Sequence, residues 1–144
     1  MSLLRPALII LVPIAALGAI VAVLHAPGHA AALHPADAAG VIHLNAAGFP
    51  ALKAQAKPVL IDFWAPWCGP CRQQGPIVEQ VSAQMGDQAI VAKVNVDEER
   101  ALAAQYDVRA IPTLVVLRDG NVVGRFVGVT DASTLAGALR SARP

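Results

Sequence analysis

Three patterns of apolar and polar positions divide the chain. From Pro6 to Leu24 no residue carries a charge and nearly all are apolar, a stretch close to the ~20 residues that a helix needs to cross a hydrocarbon core. Residues 25–40 are rich in Ala, His, Pro and Gly and follow neither a helical nor a strand period, as expected of a flexible tether. From Val41 to Pro144, short apolar runs alternate with helical periodicity, the mark of one ordered domain. The organisation read from the pattern is therefore 1–24 as a membrane anchor or signal segment, 25–40 as a linker and 41–144 as the folded domain.

Within that domain, VIHL at 41–44 predicts a short strand, and Asn45 suits the cap of a modest helix that ends near Gln55. Residues 58–65, PVLIDFWA, are apolar almost throughout with one acid inside, which predicts a central strand covered on both faces. A helix is expected from about Pro70 to Met85, stopped by Gly86. AIVAKVNV at 89–96 predicts the next strand, and Asp97 is expected to cap the helix EERALAAQY behind it. Residues 113–129 then read as two strands joined across Asp119-Gly120-Asn121, a hairpin turn signal, and Asp131 is expected to cap a last helix to about Arg140. The order β-α-β-α-β-α-β-β-α predicts an α/β fold, with a mixed sheet that is parallel at first and has helices on both faces.

Composition changes this picture mainly at the N-terminus. The chain is 56% hydrophobic and only 15% charged, and much of the excess lies in the first segment. Arg5 precedes that segment, and "GHA" (28–30) or "AAA" (30–32) would serve as small-residue cleavage sites. An uncleaved anchor and a cleaved signal peptide thus both fit, although signal cores usually run only about 7 to 15 residues. Either would export the domain. The next Lys or Arg after Arg5 is Lys53, so the positive-inside rule keeps the N-terminus in the cytoplasm. The expected location is the inner membrane, single-pass, with the domain on the periplasmic side, or soluble in the periplasm if the segment is cleaved. Net charge is +1, from 11 Lys and Arg against 10 Asp and Glu, so no electrostatic footprint for nucleic acid is present. The histidines, His25, His29, His34 and His43, lie in or beside the linker, with no carboxylate-rich or thiolate partner to complete a metal site.

The candidate chemistry is concentrated in WAPWCGPC at 64–71, which holds both cysteines of the chain, Cys68 and Cys71. They fall where a central strand hands over to a helix, the side of an α/β sheet where functional groups converge. With Pro70 near the first helical position, Cys68 sits just ahead of the first turn, where free N–H groups and the helix dipole favour an anion. A thiolate is the attacking species in disulfide exchange, so Cys68 reads as the nucleophile. Cys71, three residues on and one turn inside, reads as the shielded partner that resolves a mixed disulfide. A purely structural disulfide would close too short a loop to stabilise much, and half a zinc site lacks its second pair of ligands.

DFWAPWCGPC at 62–71, with VIHL, KVNVDE, YDVRAIPTLVVLRDGN and the glycine of FVGV, resembles the thioredoxin family in motif, order and spacing over about residues 41–142. The resemblance implies that Asp62 is a buried acid able to take the proton of Cys71, and that Lys93 is the strand lysine that approaches it. From the residues alone, Asp62 could be a satisfied structural acid, although an acid six residues before Cys68 inside a buried run calls for an explanation. The resemblance further implies that Trp67 covers the site, whereas Trp64 is core, and that Ile111-Pro112 forms a cis-proline loop beside the cysteines. Trp67, Gly69, Pro70, Ile111, Pro112 and Gly128 are thereby expected to contact substrate, with Gly128 leaving room for an extended peptide. Without the resemblance, Trp67 could be an ordinary packed aromatic and Pro112 a strand-start signal. Pro76 corresponds to a kink in the active-site helix. Gln73 and Gln74 depart from the more apolar residues often found after the second cysteine.

Gly-Pro between the cysteines belongs to the reducing type of the family, so the implied activity is reduction of protein disulfides by the dithiol itself, with no cofactor and no metal. A thiol oxidase or isomerase of the same fold is the alternative in kind, favoured by the oxidising compartment that export implies. A tethered peptide-binding module without turnover is the alternative in class. The expected partners are oxidised protein substrates and, because the domain is exported, a membrane-embedded dithiol donor. The protein is expected to act as a monomer.

Overall fold

The computed structural model describes residue 37 and residues 40–144. The expected anchor or signal helix at 1–24 lies outside the described residues, as does the 25–40 linker apart from Asp37 and Gly40. Among the described residues, no helix is long and apolar enough to cross a membrane.

The domain runs β1 (Ile42–His43), α1 (Phe49–Lys53), β2 (Val59–Trp64), α2 (Gly69–Met85), a 3-10 turn (Gly86–Gln88), β3 (Ile90–Asn95), α3 (Arg100–Gln105), β4 (Thr113–Arg118), β5 (Asn121–Val127) and α4 (Ala132–Ser141). The five strands form one sheet in the order β1-β3-β2-β4-β5. β1 and β2 pair parallel with β3, while β4 pairs antiparallel with both β2 and β5. The expected mixed sheet is therefore observed, and β2, which leads into the cysteines, is its central strand.

The apolar run of β2 is continuous because both of its faces are covered. Leu60 packs with Val78, Val81 and Met85 of α2 and with Leu135 and Leu139 of α4. Ile61 and Phe63, alternating with it, pack with Phe49, Leu52, Leu102 and Tyr106 on the other side. Side chains alternate along a strand, so Asp62 shares the face of Leu60 and points into the α2 layer. Its register partner in β3 is Lys93.

Several local readings need correction. The first strand spans only Ile42–His43, and α1 stops at Lys53. The residue capping α1 is Gly48; the Asn45 side chain instead accepts the Gly48 N–H at 2.9 Å, stabilising the turn before the helix. Asp97 does not cap α3, which begins after Glu99 with no side-chain cap. The Asp97 carboxylate is engaged elsewhere, as the site geometry shows. The remaining signals hold: α2 ends at Gly86, Asp131 accepts the Thr134 N–H at 2.9 Å, and Asp119 and Gly120 both take positive φ (49° and 74°) in the β4–β5 turn.

Candidate functional site

Cys68 follows the C-terminal end of β2 and is the N-cap of α2, with extended backbone (φ −79°, ψ 110°). Its sulfur accepts the backbone N–H of Cys71 at 3.2 Å, one of the donors that every helix start leaves without an intrahelical partner. Pro70 in the first turn has no N–H to lose there. The two cysteines form a disulfide with a Cα–Cα separation of 5.3 Å. Both are 4% exposed, so burial does not distinguish the two sulfurs. Helix position does: Cys68 caps, and Cys71 lies inside the first turn.

A second chain segment reaches this corner from far along the sequence. The Ile111-Pro112 peptide bond is cis, and the Ile111 carbonyl oxygen stands 3.7 Å from the Cys68 sulfur. The Thr113 hydroxyl donates to the Ala110 carbonyl at 2.7 Å, closing the loop. The Gly128 N–H donates to the Pro112 carbonyl at 2.8 Å, so the segment after β5 is tied to the same loop. Gly128 has φ +87°, and a Cβ built on it would meet no heavy atom within 4 Å. The backbone conformation calls for glycine, and the space beside it is open.

Trp67 is 66% exposed, and its indole N–H donates to the Asp97 carboxylate at 2.8 Å. It forms one wall of a groove of about 370 Å³ completed by Val96, Val108, Arg109, Ala110 and Ile111. This groove adjoins the disulfide. A larger depression of about 580 Å³, at Gly40, Lys57, Ser82 and Asp87, contains none of the site residues.

Asp62 is fully buried, and neither carboxylate oxygen has a hydrogen-bond partner. Burial raises its pKa from 3.8 to about 7, against a smaller opposing pull from the Lys93 charge. The Lys93 ammonium is 5.4 Å from the centroid of the Trp64 ring. Trp64 is half-buried against Ala65, Cys68 and Cys71, so it belongs to the redox corner rather than to the main core. The arrangement holds a disulfide at a helix terminus, where free N–H groups favour an anion, and a buried acid with a pKa raised to about 7.

The thioredoxin family profile matches residues 40–141. The chain belongs to the thioredoxin family. It is 51% identical over 82 residues to thioredoxin 1 of Synechococcus elongatus, covering 57% of this chain and 77% of that one. Against the thioredoxin of Haemophilus influenzae it is 39% identical over 97 residues, covering 67% and 91%. Among solved structures, it is similar to that of a mutant thioredoxin from Halobacterium salinarum, with a TM-score of 0.68, 35% identity, and coverage of 78% and 96%. This chain is thus a thiol-disulfide oxidoreductase with a Cys68–Cys71 pair, a protein-disulfide reductase whose substrates are protein disulfides.

Around that disulfide the fold gathers Cys68, Gly69, Pro70, Cys71, Trp67, Ile111, Pro112 and Gly128, while Asp62 and Lys93 face the α2 layer as a cross-strand pair. Two residues have larger parts than the sequence indicated. Asp97 reads as a helix cap because an acid before EERAL fits that pattern, yet it anchors the Trp67 indole. Gln74 reads only as a departure from the more apolar residues often found after the second cysteine, yet it is fully buried, whereas its neighbour Gln73 is exposed. The helical period was the available signal: position 74 is three residues after Cys71 and four before Val78, on the buried stripe of α2.

Proposed function

We propose that the protein reduces disulfides of other proteins outside the cytoplasm, as a monomer held to the membrane by residues 1–24 through the linker 25–40. The observation that carries the chemistry is the Cys68–Cys71 disulfide at the cap of α2, facing the cis Ile111-Pro112 loop. In the reduced protein, the Cys68 thiolate attacks one sulfur of a substrate disulfide. The substrate S–S bond breaks, a mixed disulfide forms, and the leaving sulfur takes up a proton. Cys71, its proton passed to the Asp62 carboxylate, then attacks the Cys68 sulfur, and the second substrate sulfur leaves as a thiolate that takes up a proton, returned by Asp62 through solvent, to become a thiol. Two electrons and two protons have moved to the substrate, and the protein is left with the Cys68–Cys71 disulfide.

Substrate is held as an added strand on the backbone of Ile111, with Trp67, Gly69 and Pro70 on one side and Gly128 on the other. The protein is recharged by a membrane-embedded dithiol, because an exported domain has no access to soluble cytoplasmic reductants. What supports the location is the charge-free segment from Pro6 to Leu24 behind Arg5, with no further Lys or Arg before Lys53.

Two measurements test this. A reporter that works only outside the cytoplasm, fused after Pro144, should be active, and the protein should stay with membranes through a carbonate wash. A shortened soluble product would remove the anchor and leave export standing. Alkylation trapping in intact cells should find the Cys68–Cys71 pair mostly reduced; a mostly oxidised pair would instead indicate a thiol oxidase working in an oxidising compartment.

A further inference from the structure

Gln74 is a fully buried amide in a helix whose buried face is otherwise mainly apolar. An amide taken out of water costs free energy unless its groups are hydrogen-bonded, and both groups of Gln74 are. Its Oε1 accepts the Thr130 backbone N–H at 2.8 Å, and its Nε2 donates to the Thr130 carbonyl at 3.1 Å. Thr130 lies between β5 and α4, outside any strand or helix, so the side chain pairs with its backbone much as a neighbouring strand would. An apolar side chain of similar size would fill the space without the desolvation cost. What the amide adds is two directed bonds to one residue of a loop.

That loop is connected to the redox corner in two further steps. The Thr130 hydroxyl donates to the Gly128 carbonyl at 3.2 Å, and the Gly128 N–H donates to the Pro112 carbonyl at 2.8 Å. On the other side, Gln74 stands three residues from Cys71, one turn along the same helix face. We infer that Gln74 is a positioning residue for protein substrates: it fastens the Gly128–Thr130 segment to the redox helix and so holds Gly128 against the cis-proline loop. The inference rests on the proposed mode of substrate binding, in which an extended peptide pairs with the backbone of Ile111 and has Gly128 on its other side. The Gln74 amide bonds to Thr130 and to neither reacting sulfur, so its effect falls on the fit of a protein disulfide more than on the exchange step.

The test uses Gln74→Leu, with Gln74→Met as an unbranched second variant should the first not fold. Amide hydrogen exchange at Gly128 and Thr130 is measured together with kcat and KM for insulin, and the wild type is also assayed with a small aryl disulfide. In the folded variant both amides should exchange faster, and KM for insulin should rise about tenfold while kcat stays within about twofold, the loss expected for one or two net hydrogen bonds. An unchanged Gly128 amide would overturn the inference, because a purely local packing role loosens only Thr130. So would a faster Gly128 amide with KM for insulin unmoved. If the wild type handles insulin no better than the aryl disulfide, the proposed peptide binding itself fails and takes the inference with it.

Discussion

Replacing Cys71 with serine is expected to convert the protein into a trap, in which mixed disulfides with its natural substrates accumulate and turnover is lost. Cys68 would keep its place at the cap of α2, where its sulfur takes the N–H of residue 71 in the native protein. A thiolate so placed is stabilised by the free donors of the first turn and by the helix dipole. It can still attack. Without a second thiol one turn along, nothing expels the substrate, so the covalent intermediate persists. Cys68→Ser should behave differently, since Cys71 lies inside the helix, with its N–H already directed at residue 68 and no cap position of its own. That variant should neither turn over nor trap. Both cysteines are equally buried in the oxidised protein, so the asymmetry rests on helix position, and the experiment isolates that factor. Thiol-sensitive high-mass bands after acid quench are the readout. Equal trapping by both variants, or trapping by Cys68→Ser alone, would overturn the roles assigned here.

Asp62→Asn is expected to stabilise the protein at alkaline pH while slowing its chemistry. Burial without a hydrogen-bond partner raises the Asp62 pKa from 3.8 to about 7. Between those values the native state holds a proton that the unfolded chain has released. Unfolding therefore releases a proton, and stability falls as pH rises through this window. The contribution is fully present below pH 3.8 and lost above about pH 7. The gap corresponds to up to about 4 kcal/mol. An amide of the same shape cannot ionise, so the variant should match the wild type near pH 4 and exceed it by a few kcal/mol at pH 8, as read by denaturant midpoints at each pH. In the same variant, release of the mixed disulfide should slow ~10- to 100-fold, while its formation changes little, because the proposed proton acceptor for Cys71 is gone. A stability difference that does not vary with pH, together with an unchanged release rate, would reduce Asp62 to a structural acid.

The elements of the domain were legible because each carries a local physical signal. The run from Val59 to Trp64 is apolar on both faces since helices cover both, and Asp119-Gly120 is a turn since the chain there takes positive φ at two successive residues. The redox pair was legible for the same reason. Its spacing, and the proline in the first turn, place one sulfur at a helix cap whatever the rest of the chain does. The cis-proline loop and Gly128 were identified through family resemblance, since neither has a local signal that distinguishes it from an ordinary strand start or turn.

Tertiary structure decided the partners of side chains that have two options. Asp97 could cap a helix or hold an indole, and only the approach of Trp67 from the α2 side selects the second. Asn45 could cap α1 directly, but the extra turn before Gly48 moves the helix start beyond it. Gln74 lies on the buried stripe of α2 by helical period, but only the packing of the loop after β5 supplies Thr130 as the partner of its amide. Strand and helix periods, caps and turns are set by neighbours within a few residues, so the sequence alone determined the elements and the dithiol. Hydrogen bonds between residues separated by 30 or 56 positions depend on how the layers pack, and that is settled only when the whole sheet closes over both cores.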